Sequence, residues 1–213
     1  MKAEKITVIL VDDHAVVRAG FRLLLATEPD IDVIAEASRG EELLQIYGEY
    51  RPDIVVMDLS MAGIGGLETT RRLVMREDSL KIIVFSVHHE KVYIQRALDA
   101  GAHGYICKHA HPDMLIDAIK QVAKGRIYID PSLVDDAQNQ QDMNTYQAII
   151  ETLSPREFDV FVLLAKGMTA HQISEQLCLS YKTIANYGTT IRNKLNITSM
   201  AQLANIAALL DLK

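Results

Sequence analysis

The sequence of 213 residues has no tryptophan, only five prolines and only two cysteines. Cys107 and Cys178 lie too far apart for a Cys-x-x-Cys metal or redox motif, and one conceivable bridge is no disulfide framework. A cytoplasmic location is therefore expected. Long apolar runs are also missing: Ile6 to Val11, after Lys2 and Lys5, stops at Asp12 and is too short for a secretory signal. No run approaches the ~18 residues of a membrane span, so no membrane partner is expected. Positive charge is scarce too, and a net charge of −6 argues against general affinity for polyanions.

The deficit is uneven. Residues 1–129 carry 16 Lys/Arg against 19 Asp/Glu, residues 130–150 carry four acids and no base, and residues 151–213 carry six bases against five acids. Within the last segment, residues 178–198 hold Lys182, Arg192 and Lys194 without a single acid. A small basic face can hide inside an acidic total.

What the sequence does have is alternation. Short apolar, β-branched runs start at residues 6, 32, 53, 81 and 104, with room for one covering helix after each. This pattern predicts an α/β fold, a doubly wound five-stranded parallel sheet, over residues 1–129. Residues 130–150 are rich in Asp, Gln and Asn and read as a linker. Beyond them the texture turns helical: Ser154-Pro155-Arg156-Glu157, Thr169-Ala170-His171-Gln172 and Ser199-Met200-Ala201-Gln202 match the capping box, and Ser180 caps a fourth helix. A small all-α domain over residues 151–213 is expected.

Ligands of parallel α/β sheets bind beyond the carboxyl ends of the strands. The residues there are Asp12, Asp13, Asp58, Ser86 and Lys108. Three adjacent carboxylates raise one another's pKa unless a cation joins them, and Mg²⁺, an oxygen-seeking ion, suits them. A carboxylate beside Mg²⁺ and a lysine is a competent nucleophile toward phosphorus, which makes Asp58 the candidate. Phosphatases of the haloacid dehalogenase type share that nucleophile but need an aspartate two residues later as general acid, where this chain has Ser60. An enzyme is not expected.

The segments VDDH, MDLS, FSV and GYICK resemble the receiver domain of two-component response regulators over about residues 5–128. The resemblance implies that Asp12 and Asp13 hold Mg²⁺ together with Asp58, that Asp58 accepts a phosphoryl group from a sensor histidine kinase, and that Lys108 pairs with that group. It further implies that Ser86 hydrogen-bonds the phosphoryl group and that Tyr105 turns inward as Ser86 moves. Ala62 and His109 stand where many receivers carry proline.

From Leu153 onward, LSPREFDVFVLLAKGMTAHQISEQLCLSYKTIANYGTTIRNKLNI resembles the LuxR-type helix-turn-helix of the NarL/FixJ response regulators. Together the two halves look most like global-activator regulators of the GacA/UvrY type. The helix from Tyr181 to Leu195 would bury Ile184, Tyr187, Ile191 and Leu195 and turn Lys182, Thr183, Asn186, Thr189, Thr190 and Asn193 toward double-stranded DNA. Ala185 and Gly188 lie where relatives often place polar or basic residues. The expectation is a phosphorylation-controlled transcriptional regulator whose monomer binds DNA weakly and which forms a homodimer when phosphorylated. The alternative is a protein-interaction module that no longer reads DNA. The last helix, with Leu203, Ile206, Ala207 and Leu210 on one face, serves either a dimer contact or its own domain.

Overall fold

A computed structural model describes residues 5–77, 79–133, 150–210 and 212. The chain divides into two compact units, residues 1–135 and 136–213.

The first unit alternates strand and helix: β1 (Ile6–Val11), α1 (Ala15–Leu25), β2 (Ile31–Ala37), α2 (Gly40–Tyr50), β3 (Ile54–Met57), α3 (Gly65–Val74), β4 (Lys81–Ser86), α4 (Lys91–Asp99), β5 (Gly104–Cys107), α5 (Asp113–Ala123) and β6 (Tyr128–Ile129). All pairings are parallel, in the order β2-β1-β3-β4-β5-β6. The strands are apolar at almost every position because both faces are covered. Val8, Leu10, Ile54, Val56, Ile83 and Phe85 join Leu25 of α1 and Leu115 and Ile119 of α5 on one face. Their sequence neighbours Ile9, Val11, Val55, Met57 and Ile82 meet Leu43 of α2 and Leu73 of α3 on the other. Each fully buried aliphatic side chain is worth roughly 1.5–3 kcal/mol, and the period of two along each strand locks the register.

The five expected strands are present, and a two-residue sixth pairs with β5 through Gly104 and Tyr128. It continues into a 3₁₀ turn, Pro131–Leu133. Asp130 is fully buried there and accepts hydrogen bonds from the Cys107 and Ser132 amides. Residues 130–133, read as the start of the linker, are thus tied to the receiver through Asp130, while residues 134–149 lie outside the described residues.

The second unit holds α6 (Pro155–Ala165), α7 (Ala170–Gln176), α8 (Tyr181–Leu195) and α9 (Met200–Leu209). The three expected capping boxes are closed in both directions at Ser154/Glu157, Thr169/Gln172 and Ser199/Gln202. Ser180 caps α8 by accepting the Thr183 amide. Such caps satisfy amides that a helix start otherwise leaves without partners. Between α7 and α8, Cys178 takes a left-handed conformation, φ 52°. Leu203, Ile206, Ala207 and Leu210 are buried in this unit's own core, so the apolar face of α9 serves its own domain. Among the described residues, no helix is long and apolar enough to cross a membrane.

Candidate functional site

The site is built by strand ends. The backbone ladder runs one residue past the strands, with the amides of Asp12, Asp58 and Lys108 donating to the carbonyls of Ala37, Val11 and Ser86. Rigid backbone therefore aims each side chain at the same edge. Helix α3 starts so close to β3 that a Cβ on Gly66 would lie 2.0 Å from the Asp58 carbonyl oxygen, and only glycine fits there.

Asp12 and Asp58 are buried, 5% and 2% exposed. The Lys108 ammonium bridges them, 2.6 Å from Asp12 Oδ2 and 2.9 Å from Asp58 Oδ2. Its hydrogen bond is directed to Asp12; Asp58 Oδ2 is buried and accepts no aligned hydrogen bond. Asp58 Oδ1 accepts the Ser60 amide at 3.3 Å. Burial pushes the Asp58 carboxyl up from its ordinary value, the Lys108 charge pulls it back, and the Asp12 carboxylate pushes it up again. For Lys108, burial disfavours the ammonium, but the Asp58 and Asp12 carboxylates outweigh it and hold its pKa up.

Asp13 is exposed at the rim. His14, to which the sequence reading gave no role, completes the cluster: its Nδ1 lies 2.8 Å from Asp13 Oδ1 and 3.1 Å from Asp12 Oδ1. Ligand atoms of Asp12, Asp13, His14 and Asp58 all fall within 4.8 Å of one another. The position after Asp12-Asp13 was the available signal for His14.

Ser86 is fully buried, and its Oγ accepts the His88 amide at 3.2 Å. Tyr105 is also fully buried, its hydroxyl donating to the His88 carbonyl at 2.9 Å, and burial drives its pKa well up. His88 stacks on Tyr93 at 3.9 Å and its Nε2 lies 3.0 Å from Ser60 Oγ. This histidine is thus half-buried between the loop after β3 and helix α4.

In the second unit Lys182, Asn186, Thr189 and Asn193 are exposed on α8, while Thr183 and Thr190 are half-buried. The Thr189 and Thr190 hydroxyls donate back to the Ala185 and Asn186 carbonyls. Tyr181, named from sequence only as the start of the helix, is 60% exposed beside Lys182. Gly188 is buried, and a Cβ there would sit 3.9 Å from Leu164 of α6. It belongs to the inner face, so its missing charge takes nothing from the outer one, whereas Tyr187, expected in the core, is half-buried. Lys194 is spent internally, donating to Glu157 Oε2 and the Thr152 carbonyl.

A parallel α/β domain with a lysine-bridged aspartate pair, joined to a capped helix-turn-helix, defines a receiver-controlled DNA-binding regulator. Residues 8–120 match the response regulator receiver domain, and residues 151–207 match the bacterial regulatory proteins of the luxR family. The chain is 39% identical to the transcriptional activator protein ExaE of Pseudomonas putida, covering 94% of both chains. It is 38% identical to the response regulator UvrY of Escherichia coli (strain K12), covering 95% of this chain and 93% of UvrY. Among solved structures, two RcsB dimers bound to two parallel DNAs align with 25% identity and a TM-score of 0.59, covering 96% of this chain and 98% of that one. The chain belongs to the two-component response regulators with a luxR-family output domain, a family of transcription regulators rather than enzymes.

Proposed function

We propose that Asp58 is the phosphoacceptor and that its phosphorylation by a sensor histidine kinase controls DNA binding by α8. The observation that carries this reading is the buried Asp58 carboxylate, whose Oδ2 faces the Lys108 ammonium at 2.9 Å. In the transfer, an Asp58 oxygen attacks phosphorus, the bond from phosphorus to the kinase histidine nitrogen breaks, and the imidazole leaves with its electron pair. Lys108 is already positioned to balance the added charge. The Ser86 hydroxyl, now an acceptor for the His88 amide, turns its hydrogen to the phosphoryl oxygens. Tyr105, tied to the His88 carbonyl, carries that change into the loop after β4.

The carboxylates of Asp12, Asp13 and Asp58 fit a hard cation: all are oxygen donors, and Asp58 Oδ2 is a buried acceptor that takes no aligned hydrogen bond even from Lys108. They would hold Mg²⁺, which supplies charge neutralisation at the phosphoryl oxygens.

On the output side, Lys182 and Thr183 at the start of α8 suit phosphate contacts, and Asn186, Thr189, Thr190 and Asn193 supply groups for base edges. Few free cations make the monomer's binding weak and salt-sensitive, so two copies bound together supply the affinity. The RcsB dimers on DNA support this arrangement. The organisation is a receiver over 1–129 to which residues 130–133 are tied through buried Asp130, a linker following it up to residue 150, and a DNA-binding domain over 151–213, working in the cytoplasm. The test is incubation with Mg²⁺ and a small phosphodonor followed by intact-mass measurement. Wild type gains one phosphoryl group, Asp58→Ala gains none, and a gain retained by Asp58→Ala refutes the assignment.

A further inference from the structure

The loop between β3 and α3 carries Asp58 at its start, and its shape decides where the Asp58 carboxylate points. At the near end, the Ser60 amide holds Asp58 Oδ1 and the Gly66 amide closes on the Leu59 carbonyl. The middle of the loop, Met61 to Ile64, contains no proline, and Ala62 restricts its backbone little. Met61 is buried in the core at one end of this stretch, and the other end is held from a different helix. Glu41, in the first turn of α2, accepts the Ile64 amide on Oε1 at 2.8 Å across 23 residues of sequence.

The fit around that carboxylate is tight. Gly63 has φ +84°, and a Cβ on it would lie 2.4 Å from both Glu41 oxygens. The carboxylate thus occupies the space a side chain would take, at a position whose conformation favours glycine. Gly40 brings the start of α2 so near α3 that a Cβ there would fall 1.9 Å from Thr69 Oγ1. Glu41 Oε2 is buried with no hydrogen-bond partner, a cost the fold carries to keep a carboxylate at this spot.

We infer that Glu41 is a positioning residue for phosphoryl transfer, fixing the Asp58 loop from α2 through the Ile64 amide. The inference rests on the reading of Asp58 as the phosphoacceptor. Glu41 touches neither phosphorus nor the cation cluster; it acts through the loop. Loss of the tie lets residues 62–64 relax and loosens the Ser60 amide that orients Asp58, and small displacements of a reacting group are costly in rate.

The test measures Asp58 phosphorylation by acetyl phosphate over a range of donor concentrations in Mg²⁺, together with amide hydrogen exchange at Ile64. Wild type, Glu41→Ala, Glu41→Gln and Gly63→Ala are compared, each checked for native far-UV circular dichroism. Glu41→Gln keeps an acceptor oxygen for the Ile64 amide and stays near the wild-type rate. Glu41→Ala loses Ile64 protection and falls by about 10- to 100-fold in maximal rate. Gly63→Ala both crowds the carboxylate and strains the loop at φ +84°, so it lowers the rate at least as far as Glu41→Ala. Rates unchanged in Glu41→Ala, even with faster Ile64 exchange, overturn the inference and leave Glu41 a structural tie only. Should Glu41→Ala fail to fold, Glu41→Met, which keeps the chain length but offers the Ile64 amide no carboxylate oxygen, carries the same decision. A wild-type chain that accepts no phosphoryl group overturns the reading of Asp58 itself, and this inference falls with it.

Discussion

Glu157→Gln is the sharpest test of how α8 is held. Glu157 Oε2 accepts the Ser154 amide at 2.7 Å and the Lys194 ammonium at 2.6 Å, tying the start of α6 to the end of α8. Glutamine preserves size and the capping box but removes the charge that Lys194 faces. A hydrogen bond between charged groups is worth about 1.5–3 kcal/mol, and the 35% exposure of the Lys194 side chain reduces this to about 1–2 kcal/mol. With a slope of about 1 kcal/mol/M in urea for so small a unit, the midpoint falls by about 1–2 M. Far-UV circular dichroism of the full chain follows the helical transition. The pH dependence fixes the cause. Burial pushes the Glu157 pKa up, but hydrogen bonds from Lys194 and from the Ser154 amide outweigh it and hold the folded value below the ordinary one. A depressed carboxylate stabilises the fold above its unfolded pKa and loses that contribution as pH falls through the folded value. Wild type therefore exceeds Glu157→Gln at neutral pH and converges on it in acid. Equal midpoints at neutral pH, or a gap that survives full protonation, refute the reasoning.

Gly66→Ala drives a Cβ into the Asp58 carbonyl; overpacking of about 1–3 kcal/mol exceeds the roughly 1 kcal/mol that alanine gains in a helix, so thermal unfolding shifts down and phosphorylation slows. Asp58→Asn raises stability at neutral pH, because a carboxyl whose folded pKa lies above its unfolded value destabilises the fold when ionised. Thermal melts show this gain fading below about pH 4, where both states are protonated, and a loss of stability at neutral pH counts against it. Gly188→Ala has room beside Leu164 and gains up to about 1 kcal/mol of helix stability. DNA affinity in a titration stays unchanged, because the position faces α6.

The five strands were legible because buried parallel strands are continuous apolar runs, and β1 and β5 lie where the sequence pattern placed them. Capping boxes were equally plain, since their chemistry is local. What escaped the sequence depended on contacts between distant segments. Strand β6 has two residues and exists only through its pairing with β5. The buried carboxylate of Asp130 looked like one more linker acid until its partners, Cys107 and Ser132, were in place. Gly188 carries no side chain to mark a face, so helical periodicity alone put Tyr187 inside in its stead. Asp12, Asp58, Ser86 and Lys108 were readable as strand-end residues, yet their unequal sharing of one ammonium was not. Glu41 was invisible for the same reason: its partner is 23 residues away.

The central claim, that phosphorylation of Asp58 controls DNA reading by α8, is tested most directly by selection from randomised duplex DNA at two salt concentrations. The full chain is used with and without Mg²⁺ and a small phosphodonor, beside Asp58→Ala. The account predicts that the donor sharpens enrichment of a sequence with two half-sites, that added salt weakens it, and that Asp58→Ala abolishes the gain. Enrichment that is identical with and without phosphorylation, or no enriched sequence while Asp58 becomes phosphorylated, contradicts it.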